Sequence, residues 1–593
     1  MLPDVEIFLR GAENIVRFKE FYHKDSGKWT LDTLDRGLER AETLASGAAS
    51  PWTTPAITNT VRAYRSSVDG TAQPYGVTYP IGYGKDVDKK WRVDIVLHGR
   101  NSTLTEVSFL NSHNGKKKVS ADQDWVQIDI FGRGNNAYRW AGEADVLEAM
   151  EAFFAGEAQA GRGEMADRRR VVLRGFSMGG AGTWQIGLRF PGHWCVMGPG
   201  AGFTTTHGYA WKGKKELPDY QEKCLRIYDA IDYVENARMI PIVAYSGGED
   251  AQKLAADNIE NRLKELNINA MTHLVAPGIG HTFVPDYFKK ANALWSEHAK
   301  KSRAEYPKKV SFVTYTTKAP LCDWLVVSGL ERHYEKATVD AVLTTSGYRL
   351  TTKNVRILGL HMLPAIAKPL VQIDGQEIVA NEDSAVIIVV KQGGQWKITT
   401  VKKYYKELET DPQKVMGFQG PIDDAFASGF VCVTGTGESW HPATQKFVDA
   451  KVAAFKHDWA KHWRGELPIT NEYGVSPNEI KEKHLILFGD PSSNFLLANI
   501  LPKLPLKWTK DEIEFAGKKY KSSEHVPVLI FPNPLNPSKY VVLNTGHTWP
   551  SEDYAKTNAL LYPRLGDYAI LRMADNGVAT AGLFDEFWRV EKK

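Results

Sequence analysis

The sequence has little of what marks a specialised class. Cysteine is scarce: Cys195, Cys224, Cys322 and Cys432 stand singly with no C-x-x-C pair. That spacing suggests neither a zinc knuckle nor a dense disulfide framework and leaves room for an incidental bridge. No apolar run approaches the roughly 20 residues of a membrane span. The opening stretch MLPDVEIFLRGAENIVRF carries charges where a signal peptide would be apolar, so the chain as given reads as soluble. Export would require a signal that Met1 has replaced. An excess of one charge is also missing: 74 basic residues stand against 70 acidic ones, a formal charge of +4. That balance excludes a nucleic-acid footprint. No repeat period or low-complexity tract interrupts the chain.

What is present is an ordinary folding composition, 43% hydrophobic and 24% charged, in 593 residues. This length calls for several domains of about 100 to 200 residues. Residues 1–59 hold two amphipathic helical patterns, ended by GAASPWTTP, and are expected to pack as a helical prefix on the domain next in the chain. Over 60–302, short apolar strand runs alternate with helical patterns: WRVDIVLHG, DWVQIDIFG, RRVVLRGFS, MIPIVAYSGG and MTHLVAPG. This alternation predicts an α/β domain with a mostly parallel sheet and helices on both faces. Residues 303–410 carry short β-rich runs with turn residues between them and little helical pattern, predicting an all-β, sandwich-like domain. Alternation returns over 411–593, predicting a smaller α/β domain, non-catalytic or serving interaction.

One stretch carries chemistry. Gly175-Phe176-Ser177-Met178-Gly179 is a G-x-S-x-G match, followed by Gly180. This composition yields roughly 0.2 such matches by chance, so the setting must decide. The match ends an apolar strand and opens a helical pattern, the strand-turn-helix setting of a nucleophile elbow. A serine hydroxyl needs a base, itself oriented by a carboxylate. Downstream, YSGGED ends one strand with Glu249 and Asp250, and GIGHTF ends the next with His281. In a parallel sheet all these strand ends reach one edge. The order serine, acid, histidine suits an α/β-hydrolase, with His281 as base and Asp250 as orienting acid. Glu249 and Asp257 remain open as alternative acids. An oxyanion hole needs two N–H donors. Met178 supplies one, and Arg100 or Gly99, after the strand DIVLHG, the other.

The blocks VLHGR, GFSMGGAG, YSGGED and GIGHTF resemble those of α/β-hydrolases of the prolyl oligopeptidase-like family, which includes feruloyl and acetylxylan esterases. The likeness covers about residues 60–302, in a layout similar to large multidomain bacterial chains. It implies a serine hydrolase with a Ser177–His281–Asp250 triad and no metal or organic cofactor. It departs from prolyl oligopeptidases in that nothing in residues 1–60 could form their N-terminal β-propeller, which favours esters over peptides.

The loop FGRGNNAYRWAGEAD gathers Arg133, Asn135, Asn136, Tyr138, Arg139 and Trp140 after a strand of the same sheet. There it could form an aromatic and amide platform over the site for a sugar or phenolic group. His207 and Trp211 are weaker pocket candidates. Other features are discounted. Trp440 stands where a dinucleotide fingerprint needs its third glycine. His457 and His462 are separated by about 140° around a helix, poor geometry for one metal. Ser492 and Ser493 read as a helix cap, and no G-x-S-x-G precedes His547 in its own domain. The expected activity is ester hydrolysis through an acyl-enzyme, on aryl or carbohydrate-linked esters. A serine peptidase and a glycan- or protein-binding scaffold with a vestigial hydrolase are the alternatives. Substrate and oligomeric state are not written in the chain.

Overall fold

The computed structural model describes residues 2–211, 213, 215–363, 366, 368–380 and 385–591. The chain forms two compact units. The first comprises Met1–Thr205, Ile240–Glu305 and Lys461–Gly465; the second comprises Thr206–Met239, Tyr306–Ala460 and Glu466–Lys593.

In the first unit, helices α1 (Pro3–Arg17) and α2 (Ser26–Ala45) precede the sheet. Ile7 and Phe8 of α1 are buried against Val61, Ala72, Leu110 and Phe131. The sheet strands are β1 (Asn59–Arg65), β2 (Ala72–Thr78), β3 (Trp91–Leu97), β4 (Trp125–Ile130), β5 (Ala166–Phe176), β6 (Val196–Gly200), β7 (Ile242–Gly247) and β8 (Met271–Ala276). The intervening helices are α3 (Glu106–Ser112), α4 (Ala141–Gln159), α5 (Met178–Arg189), α6 (Leu254–Glu265) and α7 (Pro285–Lys301). The spatial order is β1-β2-β4-β3-β5-β6-β7-β8. β2 pairs antiparallel with β1 and β4, and the other neighbours are parallel. This is the α/β-hydrolase fold the sequence leads one to expect. Central strands read as continuous apolar runs because both faces are covered: Val172, Val196 and Val243 pack under Ala291 and Trp295 of α7.

In the second unit, two five-stranded sheets share one core. Leu325, Val327, Leu358 and Val389 come from one sheet, and Phe312, Val339, Leu350 and Val371 from the other. That is the expected sandwich. Beyond it lies a seven-stranded sheet whose strands Ile469–Asn471, Phe430–Thr434, His484–Phe488 and Asn536–Leu543 are parallel, while the remainder is antiparallel. The four cysteines are buried and unpaired with one another. No helix among the described residues is long and apolar enough to cross a membrane.

Candidate active site

Strand β5 ends at Phe176 and helix α5 begins at Met178, so Ser177 makes the turn alone. Its backbone is left-handed, φ 61° and ψ −119°, a conformation that costs a non-glycine residue roughly 1–3 kcal/mol and persists only when the surroundings over-determine it. They do here: Ser177 N–H donates to Gly200 O at 2.9 Å, and Ser177 O accepts from Ala181 N–H at 3.0 Å. Glycine is required around it because backbone passes too close for any side chain. A Cβ on Gly179 would lie 2.0 Å from Leu97 O, and one on Gly180 2.0 Å from Gly200 O. Being first in α5, the Met178 N–H has no intrahelical acceptor and sits at the positive end of the helix dipole.

His281 follows β8 and Asp250 follows β7. His281 Nε2 lies 2.8 Å from Ser177 Oγ, and Nδ1 lies 2.8 Å from Asp250 Oδ2. An ionised carboxylate only accepts, so Nδ1–H donates to Asp250 and Nε2 is left to accept from the serine hydroxyl. Asp250 is buried, its other oxygen accepting from Gln252 N–H at 2.8 Å, whereas the His281 side chain is 41% exposed. The two loops are clasped together. A Cβ on Gly247 would strike Gly280 O at 2.1 Å, and Glu249 N–H donates to Ile279 O at 2.9 Å. Tyr245 stacks on Phe283 at 4.0 Å and its hydroxyl donates to Thr282 O at 2.6 Å. Of the three acids left open by the sequence, Asp250 is the one bonded to His281. Glu249 is exposed to solvent, and Asp257 on α6 is paired with Lys253.

On the other side of Ser177 runs the loop after β3. A Cβ on Gly99 would lie 3.5 Å from Ser177 Cβ and 3.4 Å from Phe176 O, which sets Gly99 beside Ser177, with Arg100 next in the chain. His98 faces two carbonyls, Gly99 O at 2.8 Å from Nδ1 and Phe131 O at 3.0 Å from Nε2. Burial lowers its pKa below the usual histidine range, against the raising effect of those carbonyls.

The loop 131–145 is not the platform expected from the sequence. Arg133, Asn136, Tyr138, Arg139 and Trp140 are each at most 1% exposed, so they present no surface to a ligand. Arg133 is held by Asp69 at 2.7 Å and Asp145 at 3.1 Å. Burial pushes the Asp69 carboxyl up, but the adjacent guanidinium and Thr71 hold it below the ordinary range. Asn136 donates to Gly132 O and accepts from Tyr138 N–H, and the Tyr138 hydroxyl donates to His98 O at 3.2 Å. These aromatic and cationic groups stabilise the loop itself, whose polar composition resembles that of a binding surface. Asn135 is half-buried and bonded to Asn101. His207 lies in the second unit, hydrogen-bonded to Glu222 at 2.9 Å. Asn101, which no motif flags, is the member of this neighbourhood that sequence reasoning passed over; its position directly after the His98-Gly99-Arg100 run was the available signal.

Asp257, Glu260 and His273 bring ligand atoms within 4.8 Å of one another. Both carboxylates already carry ammonium partners, Lys253 on Asp257 and Lys264 on Glu260, so the group is charge-compensated in place.

No protein-family model matches the chain, and no curated protein does. Solved structures do. The fluorophosphonate-binding serine hydrolase F of Staphylococcus aureus is 16% identical over 41% of this chain and 97% of its own, with TM-score 0.30. A ferulic acid esterase is 16% identical over 41% of this chain and 96% of its own, with TM-score 0.29. The acylaminoacyl peptidase of Pyrococcus horikoshii is 16% identical over 42% of this chain and 43% of its own, with TM-score 0.31.

Proposed function

We propose that the protein is a serine hydrolase acting on carboxylic esters. The observation that carries this reading is the unbroken chain Ser177 Oγ, His281, Asp250, with both contacts at 2.8 Å, built on a serine held left-handed at a parallel-sheet edge. Such a hydroxyl would attack the ester carbonyl as His281 Nε2 takes its proton. The tetrahedral oxyanion would be received by the N–H groups of Met178 and Arg100, with Gly99 giving it room. His281 would then protonate the leaving alcohol, and its imidazolium in the interim would be stabilised by Asp250. Water, deprotonated by the same nitrogen, would release the acid and restore Ser177. Every proton is returned, so the cycle requires neither metal nor organic cofactor. The exposed face of His281 suits a bulky substrate such as an aryl or carbohydrate-linked ester.

Labelling with a fluorophosphonate beside Ser177→Ala, followed by aryl and acetyl esters and peptide anilides, tests this. Ester turnover with loss of labelling in the alanine variant is expected. Equal labelling of both proteins would remove the nucleophile, and anilide turnover matching the esters would move the assignment to a peptidase.

A further inference from the structure

We infer that Asn135 is a positioning residue for the oxyanion-donor peptide Gly99–Arg100, working with His98. The inference rests on the serine hydrolase reading. Asn135 grips the residue after Arg100 at both ends of its backbone: Asn101 N–H donates to Asn135 Oδ1 at 3.0 Å, and Asn135 Nδ2 donates to Asn101 O at 2.8 Å. On the near side, Gly99 O sits 2.8 Å from His98 Nδ1, which donates to it in the tautomer that carries the single ring proton on Nδ1. A peptide unit is planar and trans, so holding the Gly99 carbonyl sets the direction of the Arg100 N–H opposite it. The Arg100 N–H therefore lies between two anchored points, although the Arg100 residue itself is exposed. Nothing in a flexible surface loop would hold an N–H in place as acyl transfer demands.

The anchor is itself rigid. Between Phe131 and Ala141 the backbone is left-handed at Gly132, Arg133, Gly134, Ala137, Tyr138 and Trp140. That path is kept by the buried Arg133 ion pairs and by Gln185, whose amide donates to the carbonyls of Ala137 and Tyr138 at 2.9 and 2.7 Å. Four of these six, Arg133, Ala137, Tyr138 and Trp140, are not glycine, and such strained backbone is retained where geometry matters. Asn135 is the half-buried tip of this frame, so its amide can be removed while the buried part stays assembled. The residue the sequence suggests as a substrate contact thus acts on the enzyme's own loop.

An oxyanion donor acts at about 2.7–3.1 Å from the developing charge, and displacement by about 1 Å can cost about 100-fold. Asn135→Ala is therefore expected to lower kcat/KM about 10- to 100-fold, mainly through kcat, with KM within about threefold. Phenylboronic acid, whose tetrahedral serine adduct places an oxygen in the hole, should lose affinity by the same factor. Asn135→Asp is isosteric, still accepts from Asn101 N–H and no longer donates to its carbonyl; it should fall between, and it stands in if the alanine variant does not fold. The thermal unfolding midpoint should move by no more than it does for an ordinary surface substitution. Variants with kcat/KM and boronate affinity unchanged from an active wild type would overturn the inference. So would a rise in KM at constant kcat, which marks a substrate contact. A wild-type protein that neither labels nor hydrolyses esters would instead overturn the hydrolase reading beneath it.

Discussion

His281 Nε2 and Ser177 Oγ meet at 2.8 Å across 104 residues of chain. Each stands at the carboxyl end of a parallel strand, and two strands lie between their own in the sheet. The contact exists because β5, β6, β7 and β8 run the same way.

Removing the hydroxyl should remove the chemistry and leave the fold. Ser177→Ala is expected to abolish fluorophosphonate labelling and to lower kcat by about 10⁴-fold or more. Because alanine inherits φ 61°, its stability should stay near wild type. Ser177→Gly relieves the left-handed strain and should unfold at higher denaturant, by about 1 kcal/mol. Urea titration of the two variants separates strain from chemistry.

The turn should not tolerate a methyl group. In Gly179→Ala the new Cβ meets a backbone carbonyl, Leu97 O, at 2.0 Å, and no rotamer can relieve that. Loss of about 2–3 kcal/mol together with loss of labelling is expected. Wild-type stability and labelling would contradict the close approach of β3 to α5.

Asp250→Asn should lower kcat by about 10³- to 10⁴-fold, because an amide cannot hold His281 in the tautomer that accepts the serine proton. Glu249→Gln and Asp257→Asn should remain within about threefold of wild type. Steady-state kinetics on one aryl ester across the three variants makes the comparison.

Arg133→Met tests whether the loop binds substrate or holds itself. Leaving Asp69 and Asp145 buried without their cation should cost about 3–5 kcal/mol. The fraction still folded should keep the wild-type KM. A raised KM at unchanged stability would restore the platform that the burial of this side chain excludes.

Acid should weaken the second unit through His484. Its Nδ1 accepts from Tyr540 N–H at 2.9 Å and Nε2 lies 2.9 Å from Ser428 Oγ. Burial, with Lys539 nearby, pushes its pKa down to about 3. The unfolded chain takes up this proton near pH 6.5, so its contribution is complete above that pH. It falls by about 1.4 kcal/mol per pH unit as pH drops towards 3. His484→Asn keeps an acceptor for Tyr540 N–H without titrating. Calorimetry from pH 7 to 4 should find the variant's stability less dependent on pH, and parallel curves would refute this role for His484.

Much of the fold is legible locally. Apolar runs such as RRVVLRGFS and MIPIVAYSGG become β5 and β7 because a strand covered on both faces has no reason to alternate. Ser177, Asp250 and His281 attract attention for the same reason: each closes such a run with glycine beside it. The loop at 131–145 misleads because buried ion pairs and exposed binding groups use the same residues. Arg133 and Tyr138 differ from ligand contacts in what surrounds them, which composition does not record. The grouping of 206–239 with the second unit is equally silent, since both ends of that segment join strands of the first.

By itself, then, the sequence determines that strands alternate with helices over 60–302, that a serine occupies a glycine-crowded turn, and that an acid and a histidine close later strands. These are local matters of periodicity and steric size. Only the tertiary structure decides that Asp250 rather than Glu249 or Asp257 meets His281, and that Arg133 and Tyr138 face inward. It also decides that Asn135 reaches the backbone of Asn101. Those outcomes depend on which chain segments pack within a few ångströms, and hydrogen-bond geometry at that scale is set by the whole sheet, not by neighbours in sequence.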